Sequence, residues 1–433
     1  MQSFRPSAFA TALGSMILGV LAAATLAASF PATPARAEAT LLVDANSGKV
    51  LQADNATYPW YPASLSKLMT LYVTLSAIRD RRITFDTLFT VSRNAAAQAP
   101  TKMGFPIGTR VTVDNAIKMM MVKSANDMAV LLAEGVDGTI DNFAQEMTET
   151  AHRLGMTETD YVNPNGLPAD GQITSARDLA ILARALIREF PQYGFYWRIP
   201  AIQYGRRVVR NYNPLIGRYP GADGMKTGFI CAAGFNLVAT ATRDNKQLIA
   251  VVLGAPSGAA RAVKAAEMLE SGFKRNPLSW LLPSLGTVDE LKPIDADPPN
   301  LKDEMCGPHR KRLQAAEDED EEAGAAGAGN DTGNGTVSTG DASPRFSVLL
   351  SALRAPTAKN ANLLSDAGPV VPIVVYTGPT RPPGWKPAPK PERKTARKTV
   401  RKRVVAAAAG KTREPKSKPQ LRARAAVKPK PAQ

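Results

Sequence analysis

Histidine and cysteine are scarce in this sequence, with two of each among 433 residues. A Ser-His-Asp triad needs a histidine as its base, and a zinc site needs several nitrogen or sulfur ligands. His152 and His309 lie far apart, so we expect no histidine-based hydrolase, no metal and no cofactor. Cys231 and Cys306 lie in regions of different composition. A disulfide between them is permitted but not required, and we expect Cys231 to be a small buried residue.

The N-terminus is typical of an export signal. Arg5 precedes an apolar run over 8–30, and Ala35-Arg36-Ala37 offers a small-x-small cleavage site. We interpret 1–37 as a signal peptide, with an uncleaved transmembrane anchor as the alternative. Under either interpretation the rest of the chain is exported.

The net charge of +16 is concentrated at the C-terminus. Residues 381–433 contain 18 Lys/Arg and two Asp/Glu, whereas the preceding 380 residues contain 36 of each kind. The globular part therefore has no charge bias that would indicate nucleic-acid binding. We interpret 381–433 as a disordered basic tail. It is either a solvated extension or a segment attracted to anionic lipid or wall polymer.

Hydrophobic patterning predicts an α+β domain over 38–275. Alternating and apolar runs predict one hairpin around residues 40–51 and another over 236–253. Helical periodicity dominates between them, with a helix ending at Gly155 and another capped by Ser175. The terminal strands would meet in one sheet. Residues 276–380 are rich in Pro, Gly, Ala and acidic residues, and we interpret them as a mostly disordered linker.

Ser64 and Lys67 form a Ser-x-x-Lys motif. Residues three apart share a helix face, so the lysine amine can reach the serine hydroxyl and act as its base. The amine must then be neutral, although the pKa of free lysine is about 10.4. Burial and a second positive charge can lower it. The same spacing occurs at Ser271 and Lys274, so this motif alone is weak.

Two further motifs follow in order. Ser124 and Asn126 form a Ser-x-Asn between two helical stretches, and Lys226-Thr227-Gly228 occurs once. The serine offers a proton relay, the amide can hold a carbonyl, and Lys226 can hold a carboxylate. Gly228 lets a substrate backbone approach the strand. A cap or turn explains a lone Ser-x-Asn equally well, as at Ser92.

The ordered set resembles the penicillin-binding protein and serine β-lactamase superfamily. The surrounding residues narrow the resemblance to serine-type D-alanyl-D-alanine carboxypeptidases over about 40–273. The quoted segments are Pro62 to Thr70, Ser124 to Asp127, Asn163 to Leu167 and Asp223 to Phe229. This family implies a β-lactamase/transpeptidase-like fold, in which helices flank an antiparallel sheet beside a helical subdomain. Many members carry a β-rich domain and an amphipathic anchor afterwards, and 276–433 resembles neither.

The resemblance also implies catalytic roles. Ser64 would be the acylated nucleophile and Lys67 its base. The backbone amides of Ser64 and Phe229 would form the oxyanion hole. Ser124 would protonate the leaving D-alanine.

The remaining residues would bind substrate. Asn126 would hold the peptide amide, and Lys226, Thr227 and Gly228 would hold the terminal carboxylate region. Peptidoglycan peptide would be the substrate and β-lactams the inhibitors. D,D-endopeptidase or weak β-lactamase activity is the alternative within this chemistry, and a low-turnover penicillin-sensing or wall-tethering protein is the alternative outside it.

Overall fold

The computed structural model describes residues 38–274, 284–308 and 363–379. The signal peptide predicted over 1–37 and the basic tail predicted over 381–433 lie outside these ranges. In the part of the chain that the structure describes, no helix is long and apolar enough to cross a membrane.

Strands and helices are interspersed along the described residues. The strands are β1 (Ala39–Asp44), β2 (Val50–Asp54), β3 (Leu88–Thr90), β4 (Arg110–Thr112), β5 (Ala201–Tyr204), β6 (Arg207–Arg210), β7 (Ala222–Ile230), β8 (Gly234–Arg243), β9 (Lys246–Ala255) and β10 (Ile373–Val374). The helices are α1 (Ser66–Arg79), α2 (Arg93–Ala97), α3 (Val113–Val122), α4 (Asn126–Asp137), α5 (Ile140–Arg153), α6 (Ala176–Glu189), α7 (Gly258–Phe273) and α8 (Lys302–Cys306).

The central sheet has the strand order β2-β1-β9-β8-β7, and every neighbouring pair is antiparallel. Both predicted hairpins are confirmed as β1–β2 and β8–β9. The second turns at Asp244 and Asn245, which both have positive φ, as a tight hairpin requires. The prediction that strands from both ends of the domain meet in one sheet is also confirmed, because β1 pairs with β9.

Both faces of the sheet are covered by helices. Successive residues of a strand point to opposite faces. Ile249 and Val251 of β9 accordingly belong to the core that contains α1 and α6, whereas Ala250 and Val252 belong to a second core under α7. The α+β fold with a helix-flanked antiparallel sheet is therefore confirmed.

Polar caps define the helices that were predicted from periodicity. The Ser175 side chain accepts from the backbone N–H of Asp178 at the start of α6. Gly155 follows α5 with φ +86°, a conformation that favours glycine and ends the helix. Helices α3, α4 and α5 bury their apolar faces against α1 and form the helical subdomain.

The interpretation of 276–380 as mostly disordered needs correction in two segments. Residues 284–308 contribute Val288 and Leu301 to the main core, and the backbone N–H of Val50 donates to Gly286. The prediction failed because composition averages hide a few well-placed apolar residues.

The second ordered segment, 363–379, is here named the strap. Its strand β10 pairs in parallel with β5, and Val375 is buried in the main core. The backbone N–H of Tyr376 donates to the side-chain oxygen of Asn115, a fully buried residue of α3. The strap is therefore part of the catalytic domain's fold.

The expectation that Cys231 is a small buried residue is wrong. Cys231 is half-buried and forms a disulfide with Cys306, with 5.6 Å between the Cα atoms. The backbone N–H of Leu301 donates to Ala232 at 2.9 Å, which brings 284–308 against the β7–β8 turn. The disulfide forms because the fold brings together two cysteines that are 75 residues apart. Composition does not reveal this proximity.

Candidate active site

Ser64 lies in a single 3-10 turn, Ala63–Leu65, immediately before α1. Two glycines allow other segments to approach this turn. A Cβ on Gly228 of β7 would lie 3.0 Å from the backbone nitrogen of Ser64. A Cβ on Gly166, which has φ +82°, would lie 1.7 Å from the carbonyl oxygen of Ala63. Gly166 therefore requires glycine, a side chain at Gly228 would press on the Ser64 turn, and Ser64 is held between β7 and the loop that contains Gly166.

Lys67 is fully buried and has three hydrogen-bond partners. Its Nζ lies 2.9 Å from Ser64 Oγ, 2.7 Å from Asn126 Oδ1 and 2.5 Å from the main-chain oxygen of Asn165. The two carbonyl oxygens can only accept hydrogen bonds. A neutral amine that donates its two hydrogens to them points its lone pair at the Ser64 hydroxyl. The arrangement is that of a general base for this serine.

The electrostatic surroundings favour the neutral amine. Burial lowers the pKa of Lys67 well below its ordinary value, and the positive charge of Lys226 lowers it further. The carboxylate of Asp127 acts in the opposite direction. Burial and a second cation are the two conditions under which the lysine of the Ser-x-x-Lys motif can be neutral.

Ser124 and Lys226 face each other across the site. Ser124 joins α3 to α4 with φ +60°, and Lys226 Nζ donates to its Oγ at 2.9 Å. Lys226 also donates to the main-chain oxygen of Thr227 at 2.8 Å and is buried. The two motifs are therefore brought together.

Asn126 is fixed by the loop that precedes α3. Its Nδ2 donates to Ala99 and its backbone N–H to Thr101, so its Oδ1 is turned toward Lys67. The buried carboxylate of Asp127 accepts from the backbone amides of Met103 and Gly104 and holds the same loop. Burial raises the pKa of Asp127, while these amides oppose the rise.

Thr227, Gly228 and Phe229 lie on β7, which is an edge strand of the main sheet. Thr227 is buried, and the half-buried Phe229 ring packs 4.3 Å from that of Phe235. The Ser64 turn lies against β7 at Gly228. An extended peptide can add to such an edge through main-chain hydrogen bonds.

The look-alike motifs have structural roles. Ser92 caps α2 by accepting from the N–H of Ala95, and Ser271 donates to the carbonyl of Met268 within α7. In contrast, hydrogen bonds join Ser64 and Asn126 to Lys67 and Ser124 to Lys226, and Thr227, Gly228 and Phe229 follow Lys226 on β7.

Sequence reasoning missed the main-chain contribution of Asn165. Its carbonyl binds Lys67, and its side-chain nitrogen donates to Gln98 at 2.8 Å. The segment 163–167 carries the resemblance described above, but a carbonyl oxygen has no residue-type signature. The feature of the sequence that could have indicated it was Gly166, because glycine favours positive φ and therefore marks a turn beside the site.

Comparison with known proteins identifies the family. The model of the D-alanyl-D-alanine carboxypeptidase family, Peptidase_S11, matches residues 25–257, which is more than half of the chain. The chain therefore belongs to this family of serine-type enzymes.

Individual relatives agree with that assignment. The D-alanyl-D-alanine carboxypeptidase DacA of Haemophilus influenzae is 35% identical over 251 residues, which are 56% of this chain and 64% of the relative. The match thus spans just under two thirds of that relative.

Solved structures share the fold. DacD from Francisella tularensis aligns with TM-score 0.53 and 30% identity over 55% of this chain and 70% of that chain. Penicillin-binding protein D2 from Listeria monocytogenes, in the cefotaxime bound form, aligns with TM-score 0.50 and 30% identity over 55% of this chain and 96% of that chain. The expected family and fold are thereby confirmed.

Proposed function

We propose that this chain is a serine D-Ala-D-Ala carboxypeptidase that removes the terminal D-alanine from peptidoglycan pentapeptide. The observation that carries the proposal is the setting of Lys67. Two carbonyl acceptors hold its hydrogens beside Ser64, and Lys226 disfavours its protonation. Family membership gives the substrate class.

Acylation uses the Ser64 turn and β7. Ser64 Oγ attacks the carbonyl between the two D-alanines while Lys67 takes its proton. The negative charge that develops on the carbonyl oxygen is stabilised by the backbone amides of Ser64 and Phe229. The close approach of Gly228 to Ser64 is what brings those two amides to one place.

Residues on the other side of the cleft protonate the leaving group and bind the peptide. Ser124, which accepts from Lys226, gives its proton to the departing D-alanine nitrogen and takes up the proton that Lys67 removed from Ser64, so that Lys67 is neutral again and Lys226 keeps its charge. Asn126 Nδ2 donates one hydrogen to Ala99 and would hold the peptide with the other, and Lys226 with Thr227 would bind the terminal carboxylate. Water then releases the shortened peptide from Ser64 and restores the hydroxyl.

β-Lactams are proposed to acylate the same serine. The Listeria relative was solved in the cefotaxime bound form, which supports this inhibitor class. Mass spectrometry after incubation with a labelled penicillin tests the nucleophile, with an adduct expected on Ser64 in the wild type and none in Ser64→Ala. An adduct that survives this substitution refutes the assignment.

Product analysis separates the related activities. Release of free D-alanine from a pentapeptide supports carboxypeptidase activity, whereas cleavage of cross-linked dimers supports endopeptidase activity. Stoichiometric acylation without turnover on either substrate would indicate a penicillin-sensing or wall-tethering protein. We place the enzyme in the periplasm, where its substrate lies, with the basic tail as a contact to anionic membrane or wall.

A further inference from the structure

The β5–β6 hairpin carries an unusual set of side chains. Its tip turns at Gly205 and Arg206, and residues 204–208 are exposed without interruption. Tyr204 and Val208 are 39% and 48% exposed. Protruding apolar side chains beside cations are typical of surfaces that enter a membrane interface.

Two neighbouring segments extend this surface. The Tyr204 ring contacts that of Phe105 at 5.2 Å, which brings the loop that carries Ile107 beside the hairpin. The strap adds β10 along β5, and its Val371 is 86% exposed. Here the hairpin face denotes six exposed residues around the hairpin tip and on the two segments beside it, namely Ile107, Tyr204, Arg206, Val208, Arg210 and Val371. Tyr204 pairs with Arg207 and Val208 with Gln203, so Tyr204 and Val208 point to opposite sides of the tip.

The surroundings of the hairpin face are predominantly basic, although Asp114 and Asp223 border them and contact Tyr196 and Arg198. The three segments that build it, 98–113, 190–222 and 363–379, contain seven Lys/Arg and a single Asp/Glu, which is Asp366. The rest of the chain before 381 has no such bias. Guanidinium groups match phosphate oxygens in geometry and charge, so the complementary surface is anionic.

We propose that the hairpin face docks the catalytic domain on an anionic phospholipid bilayer. Exposed valine, isoleucine and tyrosine favour a lipid interface over a wholly polar polymer, because apolar groups gain from leaving water there. The strap supports this choice. Gly378 donates its N–H to the main-chain oxygen of Arg110, next to the hairpin face, so the last described residues of the strap lie on that side of the domain.

Docking in this way would fix the distance between the active site and the lipid surface. The loop that contacts Tyr204 through Phe105 also holds Asn126 through Ala99 and Thr101. One loop therefore connects the hairpin face to Asn126 of the candidate active site.

Vesicle binding of the full chain tests the proposal. The vesicles contain equal parts of phosphatidylglycerol and phosphatidylethanolamine, and sedimentation measures the partition coefficient. We expect Arg206→Glu with Arg210→Glu to lower it by about tenfold or more, since each cation near an anionic surface contributes about 1 kcal/mol. The control is Arg81→Glu with Arg188→Glu, two exposed arginines at the ends of α1 and α6, with the same charge change and tail. Equal losses in both pairs would overturn the proposal.

A second variant separates lipid from wall polymer. Val208→Ser with Val371→Ser keeps every charge, and we expect weaker vesicle binding with unchanged binding to purified sacculi. Lower binding to sacculi alone would assign the face to wall polymer and overturn the lipid proposal.

In Val208→Trp, brominated lipid should quench more tryptophan fluorescence than in the wild type. Equal quenching would show that the hairpin stays out of the bilayer.

Discussion

Lys226 Nζ donates to Ser124 Oγ at 2.9 Å, joining two motifs that are 102 residues apart. Ser124→Ala removes the hydroxyl that this hydrogen bond orients for proton transfer to the leaving group. We expect kcat/KM for a D-Ala-D-Ala peptide to fall by about 10²–10⁴, the usual contribution of general acid–base catalysis. Ser92→Ala is the matched control. It removes a helix cap at the look-alike motif, so it should lower stability by about 1 kcal/mol with little effect on kcat/KM.

The acylation rate should depend on the protonation of Lys67. Its amine acts when neutral, so the rate rises with pH through the lowered pKa and reaches its plateau well below pH 10.5. Lys226→Gln removes the neighbouring positive charge and therefore raises the pKa of Lys67. The acid limb of the penicillin acylation profile should shift to higher pH, and a profile that only drops in height would contradict this coupling.

The same pKa shift makes folding stability depend on pH. Lys67 binds its proton less tightly in the folded than in the unfolded protein, so between its lowered pKa and about 10.5 the unfolded state holds more protons. The free energy of unfolding should rise with pH in that window, with a contribution of up to about 1.4 kcal/mol per pH unit. Urea titrations from about pH 7.5 to 9.5 measure the slope. Lys67→Met should lose this component, and an unchanged slope would count against a neutral buried amine.

Gly166 and Gly171 form a matched pair because both have φ +82°. Alanine at Gly171 meets nothing closer than 3.9 Å, so the change should cost about 1 kcal/mol of strain. Alanine at Gly166 must displace the carbonyl of Ala63, and with it the Ser64 turn. We expect Gly166→Ala to lose most penicillin acylation, measured well below its melting temperature. Similar acylation by the two variants would disprove the tight contact.

The Cys231–Cys306 disulfide should stabilise the domain. Cys306→Ala opens a loop of 75 residues and should lower the free energy of unfolding by about 2–4 kcal/mol. Reductant should destabilise the wild type to the same level and leave the variant unchanged. A reductant effect of equal size in Cys306→Ala would show that the disulfide is not the cause.

The sequence predicted those features that local patterns determine. Ser175 caps a helix and Asp244-Asn245 closes a hairpin through interactions within a few residues, and both were found. The three motifs also indicated the site, because their chemistry depends on residue type. The contribution of Asn165 could not be predicted in this way, since a main-chain oxygen is common to all residues.

Long-range packing explains the other differences. Val375 is one apolar residue in a segment of low hydrophobicity, and its burial depends on the pairing of β10 with a strand about 170 residues earlier. Cys306 likewise depends on Leu301 reaching the β7–β8 turn. Contacts between such distant segments leave no periodic pattern in the local sequence.

The bond between Tyr376 and Asn115 has a consequence for the order of synthesis. The ribosome makes Asn115 and the whole active site before it makes Tyr376, which lies 261 residues later. The buried amide of α3 gains its donor from the strap only after residue 376 has emerged. A fragment that stops at residue 275 would contain every catalytic side chain and still lack this donor and Cys306. Contacts made by Cys306 and by the strap therefore complete the fold of the domain only after the proposed catalytic residues have been synthesised.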